Sequence, residues 1–114
     1  MLMLALALAA CGGGEEDTVA CTTEARPAVE LRVVDAADVL LSGVSVSYQV
    51  DGGAPQSLVC DAVLPCVLGY ETAGTYAITA SKAGYVSAGT TVAVGRDFCH
   101  VITERRTLTL QRAG

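Results

Sequence analysis

The sequence predicts an all-β protein, built as a single antiparallel β-sandwich of about seven strands. Apolar and polar residues alternate with a period of two through several short segments, as they do in half-buried strands. Glycine, proline and aspartate separate these segments at short intervals and supply the turns. No stretch keeps the apolar spacing of an amphipathic helix over three turns. The predicted strands are 29–33, 44–50, 57–60, 67–70, 75–81, 91–94 and 101–110.

Two of these segments predict which side chains form the core. Successive side chains of a strand point to opposite faces, so every second residue shares a face. The segment 75–81 places its bulkiest residues at every second position, and the segment 101–110 ends in alternating leucine and threonine. The residues expected to face the core are Tyr76, Ile78, Ala80, Leu108 and Leu110.

The N-terminus predicts export. Residues 1–10 are uncharged and apolar, but they are too few to cross a bilayer, which takes about 20 residues. They fit the apolar part of a signal peptide. The stretch Leu8-Ala9-Ala10-Cys11 resembles the lipobox of bacterial lipoproteins, in which the cysteine receives lipid. No Lys or Arg stands near Met1, so we expect the true start of the signal peptide to lie upstream.

The lipoprotein resemblance implies an organisation in three parts. It assigns 1–10 to the signal peptide, 11–26 to the lipidated Cys11 with a flexible tether, and 27–111 to the folded domain. Three acyl chains, palmitate among them, would hold the mature protein on a membrane, whereas a single chain binds only marginally. Gly12 follows the cysteine where aspartate would favour retention. The resemblance therefore implies the outer membrane of a bacterial cell envelope, on its periplasmic or surface face.

A second resemblance covers residues 27–111. The segments that carry it are Val33-Val34-Asp35, Gly43-Val44-Ser45-Val46, Gly74-Thr75-Tyr76-Ala77-Ile78-Thr79-Ala80 and Gly84-Tyr85. They resemble the carboxypeptidase regulatory-like family, a small prealbumin-like sandwich that is related in shape to transthyretin and to Ig-like domains. Domains of this family are usually non-catalytic. The resemblance implies a structural or binding module that uses no cofactor, with a protein or glycan of the envelope as its unidentified partner.

The charge balance argues against nucleic acid as a partner. The chain has 12 acidic and 7 basic residues and a formal net charge of −5, whereas binding to a phosphate backbone needs basic patches. The adjacent basic pair Arg105-Arg106 is expected to lie on a solvated strand face.

Four cysteines follow Cys11, and they predict two disulfides in an oxidising compartment. The four are Cys21, Cys60, Cys66 and Cys99. Three connectivities are possible. The short loop between Cys60 and Cys66, which contains Pro65, favours a local bond between them, and this leaves Cys21 to pair with Cys99. That second bond would join the segment before the first strand to the turn before the last.

The main alternative function is recognition of an envelope carbohydrate or peptide by an accessory domain. Such a site needs a few aromatic side chains together on one exposed surface. The candidates are Tyr48, Tyr70, Tyr85 and Phe98.

A metal site and an active site have little support in the sequence. Cys60, Cys66, Cys99 and His100 offer zinc ligands, but their spacing differs from that of a zinc ribbon, and adjacent residues of a strand point apart. A hydrolase motif Gly-x-Ser-x-Gly is missing, and the chain has one histidine. We therefore expect no enzyme, and we expect His100 to be a surface or strand-edge residue.

Overall fold

The computed structural model describes residues 20–62 and 66–114, and these residues form a sandwich of two β-sheets. The sheet orders are β4-β1-β7 and β3-β2-β5-β6. The strands, numbered β1 to β7, are Pro27–Val34, Val44–Val50, Gln56–Cys60, Cys66–Tyr70, Gly74–Ser81, Ala88–Val94 and Glu104–Thr109. The predicted all-β sandwich of about seven strands is confirmed. The predicted signal peptide and the lipid site Cys11 lie outside the described residues.

One pair of strands departs from the expected antiparallel arrangement. The first and last strands, β1 and β7, pair in parallel, with Val29 opposite Glu104 and Val34 opposite Thr109. A parallel pair needs a long connection between its strands. Here the whole four-stranded sheet lies between β1 and β7 in the sequence: the chain crosses to it for β2 and β3, returns for β4, crosses again for β5 and β6, and returns for β7. All other pairs between named strands are antiparallel.

The last strand begins later than the sequence predicts. Residues 101–103 leave the ladder, and Val101 makes only an isolated bridge with Arg96. The backbone N–H of Ile102 donates to the carbonyl of Gly95 at 2.9 Å, which closes a loop over residues 95–103. The carboxylate oxygen Oδ1 of Asp97 accepts the N–H groups of Cys99 and His100, each at 2.9 Å. This side chain turns the chain just before the predicted strand. The N–H groups of Val101 and Ile102 donate to Glu71 and Gly95 and not to a neighbouring strand, so the ladder begins at Glu104.

The core forms between the two sheets as the alternation predicts. All five residues expected to face inward are buried, and Tyr76 is fully buried. Its hydroxyl donates to the carbonyl of Thr72 at 2.7 Å, so the polar end of the ring is satisfied. Tyr48 stacks on the ring of Tyr76 from the neighbouring strand, with 5.7 Å between ring centroids.

Two disulfides join the pairs that the spacing favours, one at each end of the sandwich. Cys60 and Cys66 have Cα atoms 5.4 Å apart, and Cys21 and Cys99 have Cα atoms 5.3 Å apart. Disulfides form and persist in oxidising surroundings, so the chain belongs outside the cytoplasm.

The end of the sandwich that receives the N-terminal segment is called the tether end below. It consists of residues 20–26, the end of β4 at Tyr70 with the β4–β5 turn at 71–73, and the loop 95–103. Strand registers place Pro27 opposite Tyr70 and Gly74 opposite Val94 at this end. The opposite end carries the Cys60–Cys66 bond and the turn after β1.

Candidate functional site

The described part of the N-terminal segment, residues 20–26, is fastened to the sandwich. Cys21 is bonded to Cys99 of the loop 95–103. Farther along, the N–H of Arg26 donates to Oε2 of Glu71 at 2.9 Å, and the N–H of Glu71 donates back to the carbonyl of Arg26 at 2.9 Å. Of the predicted tether 11–26, these residues are therefore held against the folded domain.

His100 is buried at the tether end, so the expectation of a surface or strand-edge residue is wrong. Only 8 % of the residue is exposed. Its Nδ1 lies 2.6 Å from Oε2 of Glu71, and its Nε2 lies 2.9 Å from the hydroxyl oxygen of Thr22. The Asp97 turn causes the difference, because it holds residues 97–100 in a turn before the predicted strand, where the ring of His100 contacts Thr22 of the N-terminal segment. We call Thr22, Glu71 and His100 the His100 cluster.

The geometry fixes where the imidazole carries its proton. A carboxylate can only accept a hydrogen bond, so Nδ1 of His100 donates to Glu71. Nε2 then accepts from the Thr22 hydroxyl when the ring is neutral, or donates to the Thr22 oxygen when the ring is charged. Both protonation states keep the two contacts.

Glu71 connects three segments of the chain. Besides Arg26 and His100, its carboxylate accepts the N–H of Val101, at 3.2 Å to Oε1. Its carbonyl accepts from the guanidinium of Arg96 at 3.1 Å. The residue itself has φ of 54°, in the left-handed region that residues other than glycine rarely occupy. Such a conformation persists where surrounding contacts hold it, as the four partners of Glu71 do here.

Backbone N–H donors lower the pKa of two carboxyls in this region, those of Glu71 and Asp97. The N–H of Arg26 holds the pKa of Glu71 below its ordinary value of 4.5; His100 and the N–H of Val101 act in the same direction, and partial burial opposes them. The N–H groups of His100 and Cys99 likewise hold the pKa of Asp97 below 3.8. Hydrogen bonds to the charged form of a carboxyl favour that form.

The low pKa of Glu71 predicts a loss of stability in acid. A carboxyl whose pKa is lower in the folded state stabilises the fold above its unfolded pKa, here about 4.5. This contribution is lost as the pH falls through the folded value. In Glu71→Gln the urea midpoint should be lower at pH 7 and should fall less between pH 5 and pH 3, so that the two proteins converge in acid.

The control for this acid titration is Glu24→Gln. The Glu24 carboxylate contacts the exposed side chain of Arg26 at 3.3 Å. Exposed pairs contribute little, so this variant should follow the native curve. Parallel curves for native protein and Glu71→Gln would contradict the role of Glu71.

The structure does not bring the four candidate zinc ligands together. Cys60 and Cys66 lie at the opposite end from Cys99 and His100, and all of these cysteines are bonded in disulfides. Val44 pairs with Cys60 at that end, whereas His100 contacts Thr22 at the tether end. Within residues 20–62 and 66–114, no group of three or more potential ligands is arranged to hold a metal ion.

The four candidate aromatic residues do not form one exposed surface. Tyr48 packs on the core beside Tyr76, and Tyr85 packs on the core beneath the guanidinium of Arg112, 5.3 Å from the ring centroid. Tyr70 and Phe98 are exposed, and both belong to the tether end. An aromatic recognition site would therefore have two of the four side chains.

Both side chains of the basic pair Arg105-Arg106 are exposed and have acidic neighbours. Nε of Arg105 lies 2.8 Å from Oε1 of Glu30, and Nη1 of Arg106 lies 2.9 Å from Oε1 of Glu104. The two charges are thus partly neutralised. This arrangement agrees with the solvated strand face expected from the sequence.

Glu71 and Thr22 were not identified from the sequence. They lie 29 and 78 residues from His100, and neither spacing belongs to a local motif. The one available signal was the predicted Cys21–Cys99 bond, which brings Thr22 next to His100.

Comparisons with known proteins give no family. The chain matches no protein-family model, and no curated protein matches it in sequence. Within the described part of the chain, no helix has the length and apolar character that a bilayer crossing requires.

Proposed function

We propose that this chain is a non-catalytic, lipid-anchored protein of the bacterial envelope, whose β-sandwich serves as a structural or binding module. Four residues resemble a lipobox, and the two disulfides agree with an extracytoplasmic location. The seven-stranded sandwich is compatible with the proposed likeness to the carboxypeptidase regulatory-like family. Outer-membrane delivery remains part of the proposal on the basis of Gly12.

The fastened N-terminal segment is the observation that carries this proposal. An anchored module has to transmit force and orientation from its anchor to its fold. Here the covalent Cys21–Cys99 bond makes that connection. The hydrogen bonds of Thr22 to His100 and of Arg26 to Glu71 add to it. These contacts involve the last residues of the predicted tether 11–26. An N-terminal segment without a role in anchoring would not need a covalent attachment to the sandwich.

Lipidation is tested directly by intact mass. The chain is expressed in bacteria with a short basic extension before Met1, and membrane and soluble fractions are separated. We expect the protein in the membrane fraction, with a mass that begins at Cys11 and includes three acyl chains. Cys11→Ala should move it to the soluble fraction. An unlipidated membrane protein, or equal partition of the variant, would overturn the proposal.

A second candidate function is hydrolysis by a hydroxyl nucleophile. A carboxylate, an imidazole and a hydroxyl in hydrogen-bonding order are the groups of a nucleophilic triad, and Thr22 is exposed. Catalysis also requires N–H donors for a developing oxyanion. The N–H groups of the loop around His100 are occupied: those of Cys99 and His100 donate to Asp97, and that of Val101 donates to Glu71. We therefore favour a structural role for the His100 cluster.

A fluorophosphonate probe separates these two functions. A catalytic Thr22 would attack phosphorus, release fluoride and pass its proton to His100, which leaves a covalent adduct. We expect no adduct by intact mass. Thr22→Val should lower the free energy of unfolding by about 1 kcal/mol, since it removes one hydrogen bond. An adduct that forms on the native protein and is absent from Thr22→Val would replace the proposal with a hydrolase.

A further inference from the structure

The tether end carries exposed apolar side chains. Phe98 is 81 % exposed, Tyr70 is 57 % exposed and Ile102 is 50 % exposed. Phe98 lies at the tip of the loop 95–103, beside the Cys21–Cys99 bond. These three side chains belong to neither the core nor the His100 cluster. In the loop 95–103, the side chains that pack inward are those of His100 and Val101.

The covalent chain places this end near the proposed anchor. Only residues 12–20 separate Cys11 from Cys21. Even a fully extended chain of that length spans at most about 35 Å. Phe98 is also close to Cys21, because it is the chain neighbour of Cys99, whose Cα atom lies 5.3 Å from that of Cys21. The opposite end of the sandwich lies farther away by a strand length, about 25 Å for eight residues.

The charged groups of the tether end are engaged with protein atoms. Asp97 and Glu71 accept backbone N–H groups, and Glu24 pairs with Arg26. Arg96 donates to the carbonyl of Glu71. The described residues of this end thus hold three carboxylates and two guanidinium groups, a balance that gives no attraction to an anionic leaflet. Aromatic side chains favour the interface between headgroups and acyl chains, where an apolar ring is buried while polar atoms stay hydrated.

We propose that the tether end docks on the membrane, with Phe98 inserted into the interface of a zwitterionic leaflet and with Tyr70 and Ile102 exposed at the same end. The lipid then holds the chain at the membrane, and Phe98 sets the orientation of the sandwich. The opposite end, with the turn after β1, faces away. This inference rests on the proposed lipid anchor, since a single exposed phenylalanine would not hold a protein on a bilayer.

The test uses one tryptophan as a probe, because the chain has none. Phe98→Trp is made in the mature chain from Cys11, which contains every described strand. The matched control is Val39→Trp, in the turn at the opposite end, where the valine is 57 % exposed. Four of the five cysteines are in disulfides, so the Cys11 thiol can be coupled to a maleimide lipid in phosphatidylcholine vesicles. Chemical coupling makes the result independent of whether cells lipidate Cys11.

We expect the emission of Phe98→Trp to shift to shorter wavelength on coupling and to be quenched at least twofold by lipids that are brominated on the acyl chain. Val39→Trp should keep its emission in water, and it should be quenched no more than uncoupled protein. Equal behaviour of the two variants, shifted or unshifted, would overturn the docking proposal. Failure of cellular lipidation in the mass experiment would overturn the anchor alone.

Discussion

Replacing Cys21 and Cys99 together by alanine is expected to lower the free energy of unfolding by about 4 kcal/mol. The bond closes a loop with a sequence separation of 78 residues. In the chain-entropy model, such a cross-link restricts the unfolded chain by about 4.5 kcal/mol. Native stability of a small domain is only about 5–15 kcal/mol. The double variant should therefore unfold at a much lower urea concentration, or should fail to fold at 37 °C.

The second disulfide provides the matched control. Cys60 and Cys66 are separated by 6 residues, and the same model gives about 2 kcal/mol for a loop of that size. Their replacement by alanine removes the same number of sulfur atoms and leaves the N-terminal attachment intact. Urea unfolding of both double variants should rank the loss at Cys21–Cys99 above the loss at Cys60–Cys66. The reverse order would show that native-state contacts outweigh the restriction of the unfolded chain.

A second readout distinguishes the attachment from general stability. Without the Cys21–Cys99 bond, the remaining contacts of residues 20–26 are hydrogen bonds, chiefly from Arg26 and Thr22. Amide hydrogen exchange at Arg26 and Val101 should accelerate relative to exchange in β5. In the Cys60–Cys66 variant, the protection of these two amides should fall only with the global stability.

The period-two pattern predicted the strands and their buried residues, because the alternation that indicates a buried face is visible within each short segment. Residues Tyr76, Ile78 and Ala80 alternate with smaller, exposed ones, and the structure buries all three. The parallel pairing of β1 with β7 was not predicted. It depends on which strands, far apart in the sequence, become neighbours in the sheet. The alternation in either strand is the same for a parallel and an antiparallel neighbour.

The His100 cluster escaped prediction for a related reason. The sequence around Val101 continues the apolar character of a strand, but the N–H of Val101 donates to Glu71 and the N–H of Ile102 donates to the Gly95 carbonyl, so neither pairs with β1. The consequence is that His100 turns inward to Glu71. A turn signal from one aspartate competes with strand propensity over a few residues, and the contact of Val101 with Glu71, 30 residues away in the sequence, belongs to no local pattern.

Gly69→Ala is the second substitution with a large expected effect. Gly69 lies within β4 at φ of 74°. A Cβ atom there would collide with the hydroxyl of Tyr76 and would lie 3.3 Å from two carbons of its ring. Tyr76 is fully buried, so it cannot move into solvent. The left-handed backbone costs about 1–2 kcal/mol for a residue with a side chain, and overpacking adds about 1–3 kcal/mol.

The matched control separates the two costs. Gly52 has the same φ of 74°, but no atom lies within 4 Å of the position of its Cβ. Gly52→Ala should therefore lose about 1 kcal/mol from backbone strain alone, whereas Gly69→Ala should lose about 3 kcal/mol. Both losses are measured by urea unfolding. Equal losses in the two variants would show that β4 and Tyr76 adjust without cost.

A double-mutant cycle identifies the colliding group. Tyr76→Phe removes the hydroxyl and its hydrogen bond to the Thr72 carbonyl, which costs about 1–2 kcal/mol alone. In that background, Gly69→Ala should cost less than it does in the native protein, because the Cβ atom no longer meets the oxygen. A favourable coupling of at least about 0.5 kcal/mol is expected for residues in direct contact. Additive losses would show that the strain lies in the backbone of β4. Gly69 would then be required only because its φ is positive.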